Sequence, residues 1–267
     1  MTTDTWDPAQ YLRHADHRSR PFHDLVARIP GTPQRVVDLG CGPGNTTATL
    51  PRRWPRARIT GIDNSPAMIR QARHDHPDID VQPGDITTHR PDADLILSNA
   101  ALQWIPDHTR LFPRWIDALP AGGTLAFQVP GNFDQPSHTL LADLRATPRW
   151  AHLPPVHTPA VHPPAHYLHL LTDLGCTVDA WETTYLQLLT GDRPVLDWML
   201  GTGLRPTLTA LTDPADREAF LDQYAALLDR AYPATPHGTV LPYRRIFVIA
   251  TKAPATETPA TDRPAAN

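Results

Sequence analysis

The chain has 267 residues, 31 prolines, a single lysine (Lys252) and a formal net charge of −4, so it offers no basic field for nucleic acid. No apolar run approaches the ~20 residues of a membrane helix, and Met1-Thr2-Thr3-Asp4-Thr5-Trp6 lacks the basic and apolar regions of a signal peptide. Two cysteines, Cys41 and Cys176, make no disulfide framework, and the expectation is a cytoplasmic protein with neither nucleic-acid nor membrane partners.

In chain order, residues 8–29 carry Leu12, Ala15, Phe22, Leu25, Val26 and Ile29 among Arg and His. That pattern predicts an amphipathic helix broken near Pro21. β-like runs at 35–39, 57–62, 79–82, 93–98 and 123–129 then alternate with helical patterns at 45–54, 66–75 and 107–118. Ser65-Pro66 supplies an N-cap and a proline at the first helical position, Pro106-Asp107 starts the third of these helices, and Gly122-Gly123 turns into the fifth strand. Such alternation predicts a parallel sheet with helices on both faces and a ligand beyond the C-terminal strand ends. Residues 130–165 are rich in proline and histidine and show no period. A helix is expected at 164–174, closed by Gly175, and a strand at 177–189. Residues 192–230 read as wholly helical with Thr212-Asp213-Pro214 starting the last helix, 243–251 as a last strand and the tail from Ala253 as disordered.

The densest signal is Val36-Val37-Asp38-Leu39-Gly40-Cys41-Gly42-Pro43-Gly44-Asn45, an apolar strand ending in three glycines at alternate positions. A dinucleotide site needs G-x-G-x-x-G to seat pyrophosphate on a helix N-terminus. G-x-G-x-G preceded by an acid suits a phosphate-free cofactor with an amino-acid end and a nucleoside end, which is S-adenosylmethionine. Gly40, Gly42 and Gly44 let the backbone approach such a ligand, with Cys41 as a small spacer. Asp38 can orient loop amides or attract the ammonium group. Asp63, ending the second strand beside Asn64 and Met68, can accept from both ribose hydroxyls. Asp85 can accept from the adenine amino group with Ile86 packed on the ring. Asn99 and Ala100, after the fourth strand, should line the methyl-transfer channel; Trp104 either lines it or packs the next helix.

These residues resemble those of the class I S-adenosylmethionine-dependent methyltransferases. More narrowly, the chain resembles the trans-aconitate 2-methyltransferases, from Trp6-Asp7-Pro8, Tyr11-Leu12 and Arg18-Ser19-Arg20-Pro21 through Asn99-Ala100-Ala101-Leu102-Gln103-Trp104-Ile105-Pro106-Asp107-His108 and Pro130-Gly131-Asn132-Phe133. The match continues at Glu182-Thr183-Thr184-Tyr185, Asp197-Trp198, Thr202-Gly203-Leu204-Arg205-Pro206 and Arg244-Arg245-Ile246-Phe247, covering nearly everything to residue 252. The resemblance implies a Rossmann-like, seven-stranded, mostly parallel sheet with an added helical cap. Its expected parts are an N-terminal helix in 1–30, a cofactor core in 31–129, the cap with the C-terminal strands in 130–252, and a tail in 253–267. It also implies methyl transfer to a carboxylate of trans-aconitate or a similar small-molecule polycarboxylate, giving a monomethyl ester.

A carboxylate is already ionised at neutral pH, so this transfer needs no general base and no residue is assigned as catalytic. The protein must align oxygen, methyl and sulfur, and supply arginines for the other carboxylates. Candidates are Arg18, Arg20, Arg205, Arg244 and Arg245, with His14, His17, Tyr185 and Trp198 as companions; Arg245 reads equally as an interior salt-bridge partner. Asn99-Ala100-Ala101-Leu102 departs from the Asn/Asp-Pro-Pro-aromatic motif with which many amino-group methyltransferases grip their target nitrogen. Two other readings stay open. One is an O-methyltransferase for another acid or a hydroxyl, using a histidine as base; the other is a cofactor-binding module without transfer. The histidines from His152 to His169 match no zinc spacing, and no metal is expected.

Overall fold

Apolar residues on successive strand positions require cover on both faces of a sheet. The computed structural model of the protein describes residues 15–156, 160–201 and 203–254, with side chains from Ser19 onward. The seven strands are β1 (Arg35–Leu39), β2 (Arg58–Asp63), β3 (Asp80–Pro83), β4 (Leu95–Asn99), β5 (Thr124–Pro130), β6 (Cys176–Leu189) and β7 (Thr239–Lys252). They lie in the order β3-β2-β1-β4-β5-β7-β6, and only β7 runs antiparallel to its neighbours. The order reverses between β1 and β4, so loops leaving their C-terminal ends diverge and open a crevice.

Each face of the sheet carries its own core. Val36, Leu95, Leu97, Ala126, Phe247 and Ile249 share a core with Phe22 and Leu25 of the first helix, α1 (Ala15–Arg28), and with Ile29 just beyond it. Their strand neighbours Val37, Ile96, Leu125, Phe127, Ile246 and Val248 point the other way, onto Phe112, Trp115 and Tyr167. This strict alternation is the two-residue period of a pleated strand. Burying one such Phe or Leu contributes roughly 1.5–3 kcal/mol.

Two short helices replace the longer ones expected near the site. Residues 45–54 form a 3-10 turn, Thr47–Thr49, and a single helical turn, α2 (Leu50–Arg53). The 107–118 pattern becomes a 3-10 turn at His108–Leu111 and α4 (Phe112–Ala118). Between them α3 (Pro66–Asp75) keeps its expected bounds, with Ser65 Oγ accepting from Met68 N–H.

Residues 130–165 hold an unexpected helix, α5 (Pro136–Ala146), with α6 (Pro164–Asp173) at the expected place. The helical stretch at 192–230 is three helices, α7 (Pro194–Leu200), α8 (Arg205–Ala210) and α9 (Pro214–Ala231), the last starting at Asp213-Pro214 as expected. Pro206 and Pro214 start helices rather than interrupt one, and Asp213 caps α9 by accepting from Ala215 and Asp216 N–H. Tyr224 O–H donates to Ser137 C=O, and Ser137 N–H donates to Tyr232 Oη at 2.9 Å, which ties α5 onto α9. These helices form the cap.

The histidine-rich segment is partly built into the fold. His162 and His166 stack at 4.1 Å, His162 N–H donates to Tyr167 Oη at 3.1 Å, and His108 Nε2 lies 2.9 Å from the same oxygen. Among the described residues no group of three or more His, Cys, Asp or Glu is placed to hold a metal. Residues 8–14 of the expected first helix, His14, His157 and the tail from 255 lie outside the described residues, as do the side chains of His17 and Arg18.

Burial makes part of this fold acid-sensitive. Desolvation lowers His108 and His138 from 6.5 to about 4. The unfolded chain therefore takes up protons first, and stability fully present above pH 6.5 is lost as pH falls toward 4. Asp38, raised by burial from 3.8 to about 6, acts oppositely: its contribution is complete below pH 3.8 and gone above 6. Two histidines outweigh one acid. A Tm series between pH 7.5 and 4 is expected to fall with acid, and His108→Gln to remove part of that slope.

Candidate active site

At the crevice, β1 hands over to a loop whose backbone is dictated by close approach. Gly40 has φ +79°, and a Cβ there would stand 2.4 Å from the Cβ of Ala101. Gly42 has φ +56°, and a Cβ there would meet no protein atom within 4 Å, so the room it leaves is open to a ligand. The chain leaves β4 just as sharply, through Ala100 at φ 54°. Between these turns and the cap lies a cavity of about 830 Å³.

One end of the cavity is acidic. Asp63 and Asp85, at the ends of β2 and β3, both line it. Asp63 Oδ2 accepts from Gly42 N–H at 2.8 Å and Oδ1 accepts from Ser65 N–H at 2.9 Å. The same carboxylate therefore pins the glycine loop and the start of α3, and it keeps further lone pairs for hydroxyl donors in the cavity. Asp85 Oδ1 accepts from Thr87 N–H and Oγ1 at 2.8 and 2.7 Å, which holds the turn on which Ile86 is presented.

The other end is cationic. Arg245, on β7, is buried and lines the cavity, with its guanidinium carbon 4.1 Å from the centre of the Tyr243 ring. Its Nη1 donates to Gln128 Oε1 at 3.2 Å, and Gln128 Nε2 donates to Asn99 Oδ1. Trp198 meets Tyr243 edge-to-face at 5.1 Å and closes that side. Arg145, on α5, reaches the cavity from the cap and donates to Thr207 Oγ1 at 2.8 Å and to Pro154 C=O at 2.5 Å. No described carboxylate pairs with it, and burial lowers its pKa. A cation held by neutral acceptors in a cavity wall is available to an anion.

A family profile described as Methyltransferase domain matches residues 36–123. The chain is 56% identical to a trans-aconitate 2-methyltransferase of Streptomyces coelicolor, over 94% of this chain and 88% of that protein. It is 55% identical to a trans-aconitate 2-methyltransferase of Streptomyces avermitilis, over 93% of this chain and 97% of that one. The chain belongs to the trans-aconitate 2-methyltransferase family. Among solved structures, the methyltransferase complexed with the Haloferax volcanii Trm112 activator is similar at TM-score 0.56 and 20% identity, covering 92% of this chain and 95% of that one. At that identity the likeness speaks for the fold alone.

Within this family member, the cavity gathers Gly40, Cys41, Gly42, Asp63, Asn64, Met68, Asp85, Ile86, Asn99, Ala100 and Trp104. Trp104 lines it while staying 39% exposed, so it does not pack the next helix as a core residue. Asp38 and Gly44 are not in the lining. Asp38 is buried behind the loop and accepts from Thr47 Oγ1 at 2.6 Å, while a Cβ on Gly44 would press on Ala72 at 3.2 Å. Both serve the loop rather than face the ligand. Cys41 is buried beside two acids, which raises its thiol pKa and suits a spacer.

The expected substrate residues divide. Trp198 and Arg245 line the cavity; Arg20, Tyr185, Arg205 and Arg244 do not. Tyr185 O–H donates to Asp24 at 2.6 Å and lies under Arg20 at 5.0 Å, which fastens α1 to β6. Arg244 is paired with Glu182 and donates to Gly131 C=O at 2.9 Å. Arg145, Asn132, His138 and Tyr243 are among the lining groups that sequence reasoning missed, as is Gln128, which stands behind the lining between Arg245 and Asn99. Asn132 lay in the quoted Pro130-Gly131-Asn132-Phe133 match, which was a usable signal; Arg145 and His138 sat in the stretch without a period.

Proposed function

We propose that this methyltransferase transfers the methyl group of S-adenosylmethionine to a carboxylate of trans-aconitate or a closely similar polycarboxylate, forming a monomethyl ester. The observation that carries the reading is the separation of charge in one cavity, with Asp63 and Asp85 toward β2 and β3 and Arg145 and Arg245 toward β7 and the cap. The acidic end suits a cofactor bearing an ammonium, a sulfonium and ribose hydroxyls. Asp63, Asn64, Met68, Asp85 and Ile86 would hold the nucleoside, and the loop at Gly40 and Gly42 would hold the amino-acid portion. S-adenosylmethionine supplies an electrophilic methyl group on a positively charged sulfur.

The residues of the chain supply alignment and charge. Arg245 fixes a carboxylate at the end of the sheet where Asn99 stands, and Arg145 holds a second carboxylate from the cap. The attacking oxygen carries its own negative charge, so the protein moves no proton. Orientation in a water-poor cavity accounts for the rate, and well-oriented pairs gain about 7–11 kcal/mol this way. A hydroxyl acceptor would need a base. His138, the histidine of the described lining, has a pKa lowered to about 4 and is too weak for that task at neutral pH.

The test is methyl transfer from labelled S-adenosylmethionine to a panel of mono-, di- and tricarboxylates and phenols, with product mass detected. Fast monomethyl ester formation from trans-aconitate is expected; cofactor binding without turnover of any acid would sink the reading. Arg145→Gln is expected to raise KM for trans-aconitate about 10- to 100-fold while leaving cofactor affinity unchanged. Equal KM values in variant and wild type would remove Arg145 from the substrate site.

A further inference from the structure

The floor of the cationic end is a row of three polar side chains whose direction is fixed by chemistry. Asn99 is the register partner of Gln128 across β4 and β5, and Arg245 is the partner of Pro130 across β5 and β7. Residues 99, 128 and 245 therefore share one face of the sheet, Arg245 diagonally from Gln128. Arginine has five N–H donors and no acceptor. The group that meets it must be the carbonyl oxygen of Gln128, as the Nη1 to Oε1 contact of 3.2 Å has it. With Oε1 engaged there, the Gln128 NH2 faces Asn99 and takes its Oδ1. Asn99 is then left with its own NH2 for the cavity it lines, and no described group accepts from that nitrogen.

We propose that Gln128 is a positioning residue that sets the polarity of Asn99, so that the transfer end of the cavity offers N–H donors and selects an anionic oxygen acceptor over an amine. The proposal rests on the carboxylate reading above. A carboxylate accepts at every lone pair and is satisfied by Arg245 and Asn99 together. A reactive amine carries N–H donors that need a carbonyl opposite them, and its protonated form would face Arg245. The row thus rejects an amine by mismatch as well as by charge. Gln128 is 1% exposed and Arg245 5%, so water does not re-satisfy a reversed amide.

Two variants reverse the polarity by different routes. Asn99→Asp accepts from Gln128 with one oxygen and turns the other, a pure acceptor, toward the cavity, with the Arg245–Gln128 pair left standing. Gln128→Glu accepts from both Arg245 and Asn99, and so turns Asn99 Oδ1 toward the cavity. Kinetics of the full-length enzyme with trans-aconitate and S-adenosylmethionine are expected to show kcat/KM lowered at least ~100-fold in each. For Gln128→Glu, S-adenosylhomocysteine affinity by calorimetry should stay within about threefold. The rate of Gln128→Glu relative to wild type should also rise as pH falls from 8 to 5, because a protonated Glu restores one acceptor and one donor, the pattern of Gln; a packing fault would not respond. Rates within threefold of wild type in both variants, or a Gln128→Glu deficit that ignores pH, would overturn the positioning role. Wild-type enzyme inert toward every carboxylate would instead overturn the functional reading, and this proposal with it.

Discussion

Arg245→Met is expected to lower kcat/KM for trans-aconitate by about three orders of magnitude, the largest effect of any single change in the site. Methionine keeps an unbranched apolar stem but gives up the guanidinium and its place over the Tyr243 ring, so the loss reports on the cation. A buried charge-assisted pair is worth about 2–5 kcal/mol when one partner is removed, and each 1.36 kcal/mol is tenfold in rate. Gln128 would also lose the donor that orders it, and Asn99 with it. The effect should therefore exceed that of Arg145→Gln, whose hydrogen bonds end on Thr207 and Pro154 in the cap. The measurement is steady-state kinetics at saturating S-adenosylmethionine, with cofactor affinity by calorimetry as the control. A decrease of less than tenfold would remove Arg245 from the substrate contact and leave it a structural cation.

Asp63→Ala should weaken cofactor binding at least ~100-fold and also lower Tm. A ribose acceptor alone would leave the fold untouched when removed. The carboxylate, however, also holds Gly42 N–H and Ser65 N–H, at 2.8 and 2.9 Å. Hydrogen bonds to a charged group contribute about 1.5–3 kcal/mol each, and orphaned backbone donors add to the loss. Asp63→Asn should fall between, since an amide offers one acceptor where two backbone donors converge. Calorimetry with S-adenosylhomocysteine and a thermal melt separate the two losses. A melt identical to wild type would show that the loop holds its shape without Asp63.

The cofactor end was legible in the sequence because its residues follow strand ends, where apolar runs stop at an acid or a glycine. Asp38 and Gly44 lie outside the cavity lining, since a motif gives residue types and not which of them faces inward. The cationic end was harder to read. Arg244 and Arg245 are adjacent on β7 and point to opposite faces, so one pairs with Glu182 and the other enters the cavity. The shared period of Tyr243, Arg245, Phe247 and Ile249 is visible in the chain. Which face lies beneath the cap is decided only by the long-range pairing of β7 with β5. Helix α5 escaped because Gln135 provides no side-chain cap, Pro136 reads as a breaker, and only Ser137, Leu141 and Leu144 are buried along its length. Arg145 was lost with it. In the 192–230 stretch Asp213-Pro214 marked the last helix, while the earlier break around Gly201 and Gly203 was hidden by helical composition on both sides.

The separation of acids from arginines in one cavity also bears on how the reaction ends. On the proposed reading, transfer would cancel two opposite charges where cofactor meets substrate: the sulfonium would become a neutral thioether, and the carboxylate near Arg245 a neutral ester. The Coulomb attraction that gathers both reactants would then be weakened by the step it promotes, and each product is expected to be held less tightly than its precursor. An ester retains a carbonyl oxygen as a weak acceptor, but it no longer competes with a fresh trianion for the same guanidinium. Such a cavity would discharge itself, and release of a polycarboxylate after one methylation is the expected consequence.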